Sequence, residues 1–187
     1  MATPNVFNKV LRVRPTIGFR FRQLDVPIAA SQTIYTYDIL AKTSGANTFE
    51  QSIALPGTNS TGTASGGSLP IYAVALAPIT TGSGGTETTT GRSTIPVAVF
   101  DDNLELEMRI YNATAANAEP RDISLTGATK YQFQRWRGTS ATEWWYSLIV
   151  TTTNGEFTYV ERGGDSADDD DYGLVWVKAI ASVRQGG

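Results

Sequence analysis

The strongest constraint on the fold is the strict alternation of apolar and charged residues from Leu104 to Ile110. Apolar side chains occupy every second position, and Glu105, Glu107 and Arg109 occupy the positions between them. Successive side chains of a strand point to opposite faces, so the segment predicts a β-strand with one apolar and one charged face. We expect water to keep both glutamates ionised, which argues against a glycosidase-type carboxylate pair with one raised pKa.

Short segments of the same kind predict strands along most of the chain. Those rich in β-branched and aromatic residues are residues 34–39, 48–55, 70–78, 95–100, 131–136, 143–152, 156–160 and 174–183. Asn154-Gly155 is a strong hairpin signal between two of these strands, and Pro96 places its strand at a start or an edge. With helices nearly absent, we expect an all-β fold, an antiparallel β-sandwich or barrel.

Composition removes whole classes of chemistry. The chain has neither Cys nor His, which excludes thiol nucleophiles, Ser-His-Asp triads and zinc sites built from thiolate or imidazole. Its 25 Thr and 13 Ser are concentrated in polar segments such as residues 58–68 and 80–94, which predict long Thr/Ser/Gly-rich loops. We expect no catalytic residue, no metal site and no cofactor.

The first 24 residues carry all of their charge as cations, and the first acid is Asp25. The basic residues are Lys9, Arg12, Arg14, Arg20 and Arg22. Strict alternation over residues 18–22 predicts a strand. We interpret residues 1–24 as an extended basic arm and residues 25–187 as a single β domain. The arginines are either solvated or docked on acidic groups of another subunit by bidentate contacts. A net charge of −3 makes nucleic acid a poor partner.

Two further segments attract attention in the second half of the chain. Asp165 and Asp168–Asp171 form an acidic run that is either a solvated loop or a set of oxygen ligands for a cation such as Ca²⁺, and its spacing fits no EF-hand. The aromatic concentration consists of Trp136, Trp144, Trp145 and Tyr146. Aromatic residues on strands usually serve the core or self-association, whereas exposed ones would serve as platforms for sugars.

The middle of the chain resembles a known family. The segments at residues 70–77, 95–100 and 104–110, with a Gly/Thr-rich loop between the first two, are similar to those of capsid decoration, or cement, proteins of tailed bacteriophages. A phage of cyanobacteria is a candidate source. The similarity extends over about residues 34–110 and carries no invariant signature.

The resemblance implies a virion structural protein and not an enzyme. Such a protein binds the outside of an icosahedral shell as a homotrimer or homodimer and bridges subunits of the major capsid protein. A receptor- or glycan-binding tail or fibre component is the alternative. Residues 1–5 lack the apolar core of a signal peptide, and no apolar run is long enough to span a membrane. We therefore expect synthesis in the bacterial host cytoplasm, a final location on the capsid surface of the virion, and no membrane partner.

Overall fold

The computed structural model describes residues 12–52, 60–63, 70–87, 89–110, 130–137, 144–151, 155–164 and 173–184. These residues form fourteen strands and one short 3-10 helix. The strands are β1 (Arg12–Pro15), β2 (Gln23–Pro27), β3 (Thr33–Ile34), β4 (Ile39–Lys42), β5 (Phe49–Gln51), β6 (Ser60–Thr63), β7 (Ala73–Ala75), β8 (Ile79–Thr80), β9 (Thr94–Val99), β10 (Leu104–Ile110), β11 (Lys130–Arg137), β12 (Trp144–Thr151), β13 (Phe157–Arg162) and β14 (Leu174–Ala179); the helix is Ala181–Val183. Among the described residues, no helix is long and apolar enough to cross a membrane.

The chain divides into two compact units. The barrel unit comprises Met1–Val13, Ile53–Leu69 and Glu105–Ile180, and the sheet unit comprises Arg14–Ser52, Pro70–Leu104 and Ala181–Gly187. The boundary expected between residues 24 and 25 therefore falls inside the sheet unit.

A closed ring of five strands forms the barrel unit. Their order is β10-β12-β11-β13-β14, and β14 pairs in turn with β10, which closes the ring. Strand β6 pairs with residues 134–137 of β11, beyond the point at which β13 pairs with Tyr131, and β1 lies next to β10. Strands β10 and β12 run parallel, and β11 lies between them in the sequence.

Aromatic and aliphatic side chains fill the barrel. Phe133 packs against Tyr146 and Phe157 with ring centroids 5.8 Å and 5.9 Å apart, the second pair edge to face. Met108 is opposite Val175 in the β10–β14 register, and both are fully buried. The apolar face predicted for residues 104–110 therefore lines the core.

The sheet unit contains a five-stranded sheet in the order β2-β9-β7-β4-β5, with β3 and β8 as a separate pair. A bridge between Ile28 and Phe49 joins the end of β2 to β5, so the two edges of the sheet meet. Small Ala73 and Ala75 and β-branched Val97 pack in its core. The all-β class expected from the sequence is confirmed, although the parallel β10–β12 pair departs from a purely antiparallel arrangement.

The predictions for residues 34–39, for residues 60–63 and for the connection between β12 and β13 were wrong. Residues 34–39 are not one strand, because a turn separates β3 from β4. Within it, the buried Asp38 carboxylate accepts the Tyr35 N–H at 2.8 Å, and Tyr37 has a φ of 70°. Residues 60–63, expected in a loop, form β6. Strands β12 and β13 do not form a hairpin, since β11 lies between them.

Gly155 marks close strand packing and not a hairpin, and Pro96 lies within a central strand and not in an edge strand. A Cβ on Gly155 would lie 2.8 Å from the Tyr131 backbone, so glycine permits the close approach of β11. Pro96 lies inside β9, which is central and not an edge strand. Its carbonyl accepts the Leu76 N–H just beyond the end of β7, so the missing proline N–H removes no bond from either strand ladder.

Candidate functional site

The 16–22 loop, residues 16–22 between β1 and β2, is a fixed turn within the sheet unit. Its first residue is anchored because the Thr16 N–H donates to the Asn103 carbonyl at 2.8 Å. The Phe19 N–H then donates to the Thr16 carbonyl at 2.9 Å, which closes a four-residue turn. Gly18 is the third residue of this turn and has a φ of +86°, the conformation that a type II turn requires there. The loop ends at Arg22, whose carbonyl accepts the Val99 N–H at 2.9 Å.

This turn presents large apolar side chains to water. Ile17 is 88% exposed and Phe19 is 60% exposed, and the third exposed large hydrophobic residue of the described chain, Val160, is 37% exposed. Scattered single apolar residues are ordinary on protein surfaces, but two side chains on one fixed turn form a patch that a partner can bury. The 16–22 loop is therefore the candidate interaction site.

Cationic side chains flank this apolar pair. Arg20 and Arg22 are exposed, and neither forms an ion pair with a described residue. The strand predicted over residues 18–22 is wrong, because a turn at Gly18 and an irregular segment precede β2. Of the other predicted docking residues, Arg14 is half-buried on β1 and Lys9 lies outside the described residues.

Arg12 has a different environment from Arg20 and Arg22. Its Nε lies 2.6 Å from Oε2 of Glu107, whose side chain is 1% exposed, while the Arg12 side chain is 62% exposed. The described residues supply no aligned hydrogen bond to either Glu107 oxygen, so Arg12 compensates the buried carboxylate mainly through its charge. Arg12 thus has an internal partner within the barrel unit, and its contact with another subunit stays a prediction.

The charged face of β10 is buried, which corrects the expectation that water surrounds its glutamates. Glu105 is 4% exposed and Glu107 is fully buried. A Cβ on Gly163 would lie 2.8 Å from Oε1 of Glu107, so glycine at this position provides the space for the carboxylate. Burial lowers the pKa of Arg109 below its ordinary value, and the nearby charge of Glu107 opposes that shift. Glu107 is therefore packed tightly against the backbone of Gly163.

Most of the remaining predicted site residues lie outside the part of the chain that the structure describes. Tyr146 is a buried core residue of the barrel, while the Trp136, Trp144 and Trp145 side chains and Asp165 and Asp168–Asp171 lie outside the described residues. Trp136 and Trp145 are register partners on β11 and β12. Within the described part of the chain, no cluster of three or more Asp and Glu side chains is placed to hold a metal ion.

Comparison of the chain with protein-family models, with curated proteins and with solved structures finds no match. Its function must therefore be inferred from its own residues. The sequence contained the signal for the apolar pair, since Thr16-Ile17-Gly18-Phe19 places glycine at the third position of a turn. The alternation of the following residues led to a strand prediction instead.

Proposed function

We propose that the chain is a non-enzymatic virion structural protein that decorates and cements the outer surface of a tailed-phage capsid. In this role it bridges subunits of the major capsid protein and acts by contact alone. The observation that carries the proposal is the 16–22 loop, a backbone-anchored turn that exposes Ile17 and Phe19 beside Arg20 and Arg22, two arginines without an ion pair to any residue that the structure describes. The choice of the major capsid protein as partner comes from the resemblance of residues 34–110 to decoration proteins.

The binding free energy expected from one such loop is small, which suits a protein that binds an assembled shell through several loops at once. Complete burial of an isoleucine or phenylalanine side chain contributes about 1.5–3 kcal/mol each, which gives weak attachment for one loop. A homotrimer or homodimer would present two or three loops at once, and their binding would become effectively intramolecular after the first contact. We therefore expect modest affinity for an isolated capsid subunit and high avidity for an assembled shell.

Binding to shells tests this function. Expanded shells of the phage that encodes the chain, prepared without it, are mixed with purified protein and sedimented. We expect saturable binding in a fixed ratio to the major capsid protein, and decorated shells should keep packaged DNA at temperatures that open bare shells. Absence of binding would overturn the proposal, and glycan binding lost on Trp144→Ala or Trp145→Ala would favour the tail or fibre alternative.

Deletion of residues 2–24 would not separate a loss of binding from a loss of folding. That deletion eliminates β1, the first residues of β2 and the Arg12 partner of Glu107. The shortened chain would leave a buried carboxylate without its closest cation, so a loss of binding could reflect damage to the barrel unit. Substitutions of exposed loop side chains keep these internal contacts and separate binding from folding.

A further inference from the structure

We infer that the 16–22 loop recognises an apolar pocket whose rim carries carboxylates, on the protein surface to which the chain docks. This inference rests on the proposed function and specifies its partner. Ile17 and Phe19 would enter the pocket, and Arg20 and Arg22 would pair with acids at its rim. The loop would then insert a preformed apolar tip into the pocket, with its cationic side chains outside at the rim.

The case for a pocket comes from the anchored shape of the turn. Hydrogen bonds from Thr16 to Asn103 and from Phe19 to Thr16 fix its backbone before any partner arrives. A Cβ on Gly18 would meet no atom within 4 Å, so the tip of the turn projects into open space. Rigid elements lose little conformational entropy on binding, and a projecting apolar tip of fixed shape is matched by a concave apolar surface.

The case for carboxylates comes from charge and donor geometry. No acidic residue precedes Asp25, so the exposed guanidinium groups of Arg20 and Arg22 have no acid within their own segment. A guanidinium donates two parallel hydrogen bonds to one carboxylate. Carboxylates on the rim of the pocket would therefore bind Arg20 and Arg22 more strongly than neutral groups would.

A localised protein pocket fits these charges better than an anionic membrane does. The chain has a net charge of −3. Asp25 is exposed on β2. The Asp102 carboxylate is 83% exposed although it pairs with Arg184 at 2.9 Å, and the backbone carbonyl of Asp102 accepts the Thr16 hydroxyl. A broad sheet of phosphates would face these acids as well as the arginines, whereas a few carboxylates on a pocket rim need to contact only the arginines.

Equilibrium binding to the same shells, at low and high salt, tests the pocket. Ile17→Ala and Phe19→Ala should each weaken binding by roughly tenfold to a hundredfold at either salt concentration, as expected for apolar anchors. Arg20→Ala and Arg22→Ala should weaken binding mainly at low salt and reduce its salt dependence. Arg20→Lys should restore only part of the loss, because lysine cannot form the bidentate contact.

Control variants separate loop recognition from general effects. Val160→Ala removes an exposed apolar side chain of the barrel unit and should leave binding unchanged. Gly18→Ala adds no clash but opposes the positive φ, so it should weaken binding although it deletes no contact. Thermal midpoints of the Ile17 and Phe19 variants should equal that of the parent, because both side chains are exposed in the free protein.

The outcomes distinguish this inference from the proposed function. If the parent protein binds shells and the alanine variants of Ile17, Phe19, Arg20 and Arg22 bind equally well, the pocket inference is overturned and the proposed function stands. If the parent does not bind shells, the proposed function fails. Loop-dependent binding to vesicles of phosphatidylcholine and phosphatidylserine, with no loop effect on shells, would identify a lipid surface and overturn the pocket.

Discussion

Truncation of Arg12 to alanine should destabilise the protein more than conversion of Glu107 to glutamine, although the two side chains form one ion pair. The reason is the unequal burial of the partners. The Glu107 side chain is 1% exposed and the Arg12 side chain is 62% exposed. Loss of Arg12 leaves a carboxylate in the protein interior, whereas loss of the Glu107 charge leaves an arginine that water can solvate.

The magnitude follows from this geometry. Removal of one partner from a fully buried ion pair costs about 3–5 kcal/mol. Exposure of Arg12 lets water approach after its truncation, and Arg109 remains near Glu107, so we expect a loss of about 2 kcal/mol for Arg12→Ala. Glu107→Gln keeps the side-chain volume and removes the buried charge, but it also takes a neighbouring negative charge from the half-buried Arg109. Its cost should therefore be about 1 kcal/mol, still below that of Arg12→Ala.

Urea unfolding of both single variants and of the double variant measures these values. The double variant should be nearly as stable as Glu107→Gln alone, because an uncharged glutamine does not need the cation. This corresponds to a coupling energy of at least about 1 kcal/mol between the two positions. Additive losses, or a larger loss for Glu107→Gln than for Arg12→Ala, would refute the reasoning.

Three further predictions concern packing, pH and a turn. Gly163→Ala should destabilise the protein by about 1–3 kcal/mol in thermal unfolding, because its Cβ would press on Glu107. Gly84→Ala is the control: its Cβ would have no atom within 4 Å, so it should change stability by less than about 0.5 kcal/mol. Equal effects of the two substitutions would contradict the packing around Glu107. Burial, with a smaller contribution from Tyr159, raises the pKa of Tyr131 above 10.0 in the folded protein. Folding therefore favours the neutral phenol, and this contribution to the free energy of unfolding is lost as the pH rises above 10.0. Tyr131→Phe should reduce the fall in stability as the pH rises above about 10, and an unchanged slope would oppose this assignment. Asp38→Ala should cost about 2 kcal/mol in urea unfolding, because the buried carboxylate accepts hydrogen bonds that alanine cannot, and a loss below about 0.5 kcal/mol would count against it.

Local alternation was sufficient to predict much of the fold. Strand β10 has the predicted bounds, and β9 differs from its prediction by one residue at each end, because strand periodicity depends on neighbours along the chain. The burial of Glu107 could not be predicted in this way. It depends on Arg12 and Gly163, which are distant in sequence and meet β10 only in the folded barrel unit.

The candidate site was predicted in part. The sequence identified a row of basic residues near the N-terminus but gave no means of distinguishing Arg12, which pairs internally, from the exposed Arg20 and Arg22. That difference arises from tertiary pairing. The glycine of the 16–22 loop was a local signal, and strand-like alternation on its C-terminal side obscured it.

An electron-microscopy map of the native virion gives the most direct test of how the chain works. The proposal predicts density for the chain on the outer capsid surface, where Ile17 and Phe19 are enclosed by apolar residues of the major capsid protein and acidic residues contact Arg20 and Arg22. Density for the chain at the tail, or on the capsid with the 16–22 loop facing solvent, would contradict it.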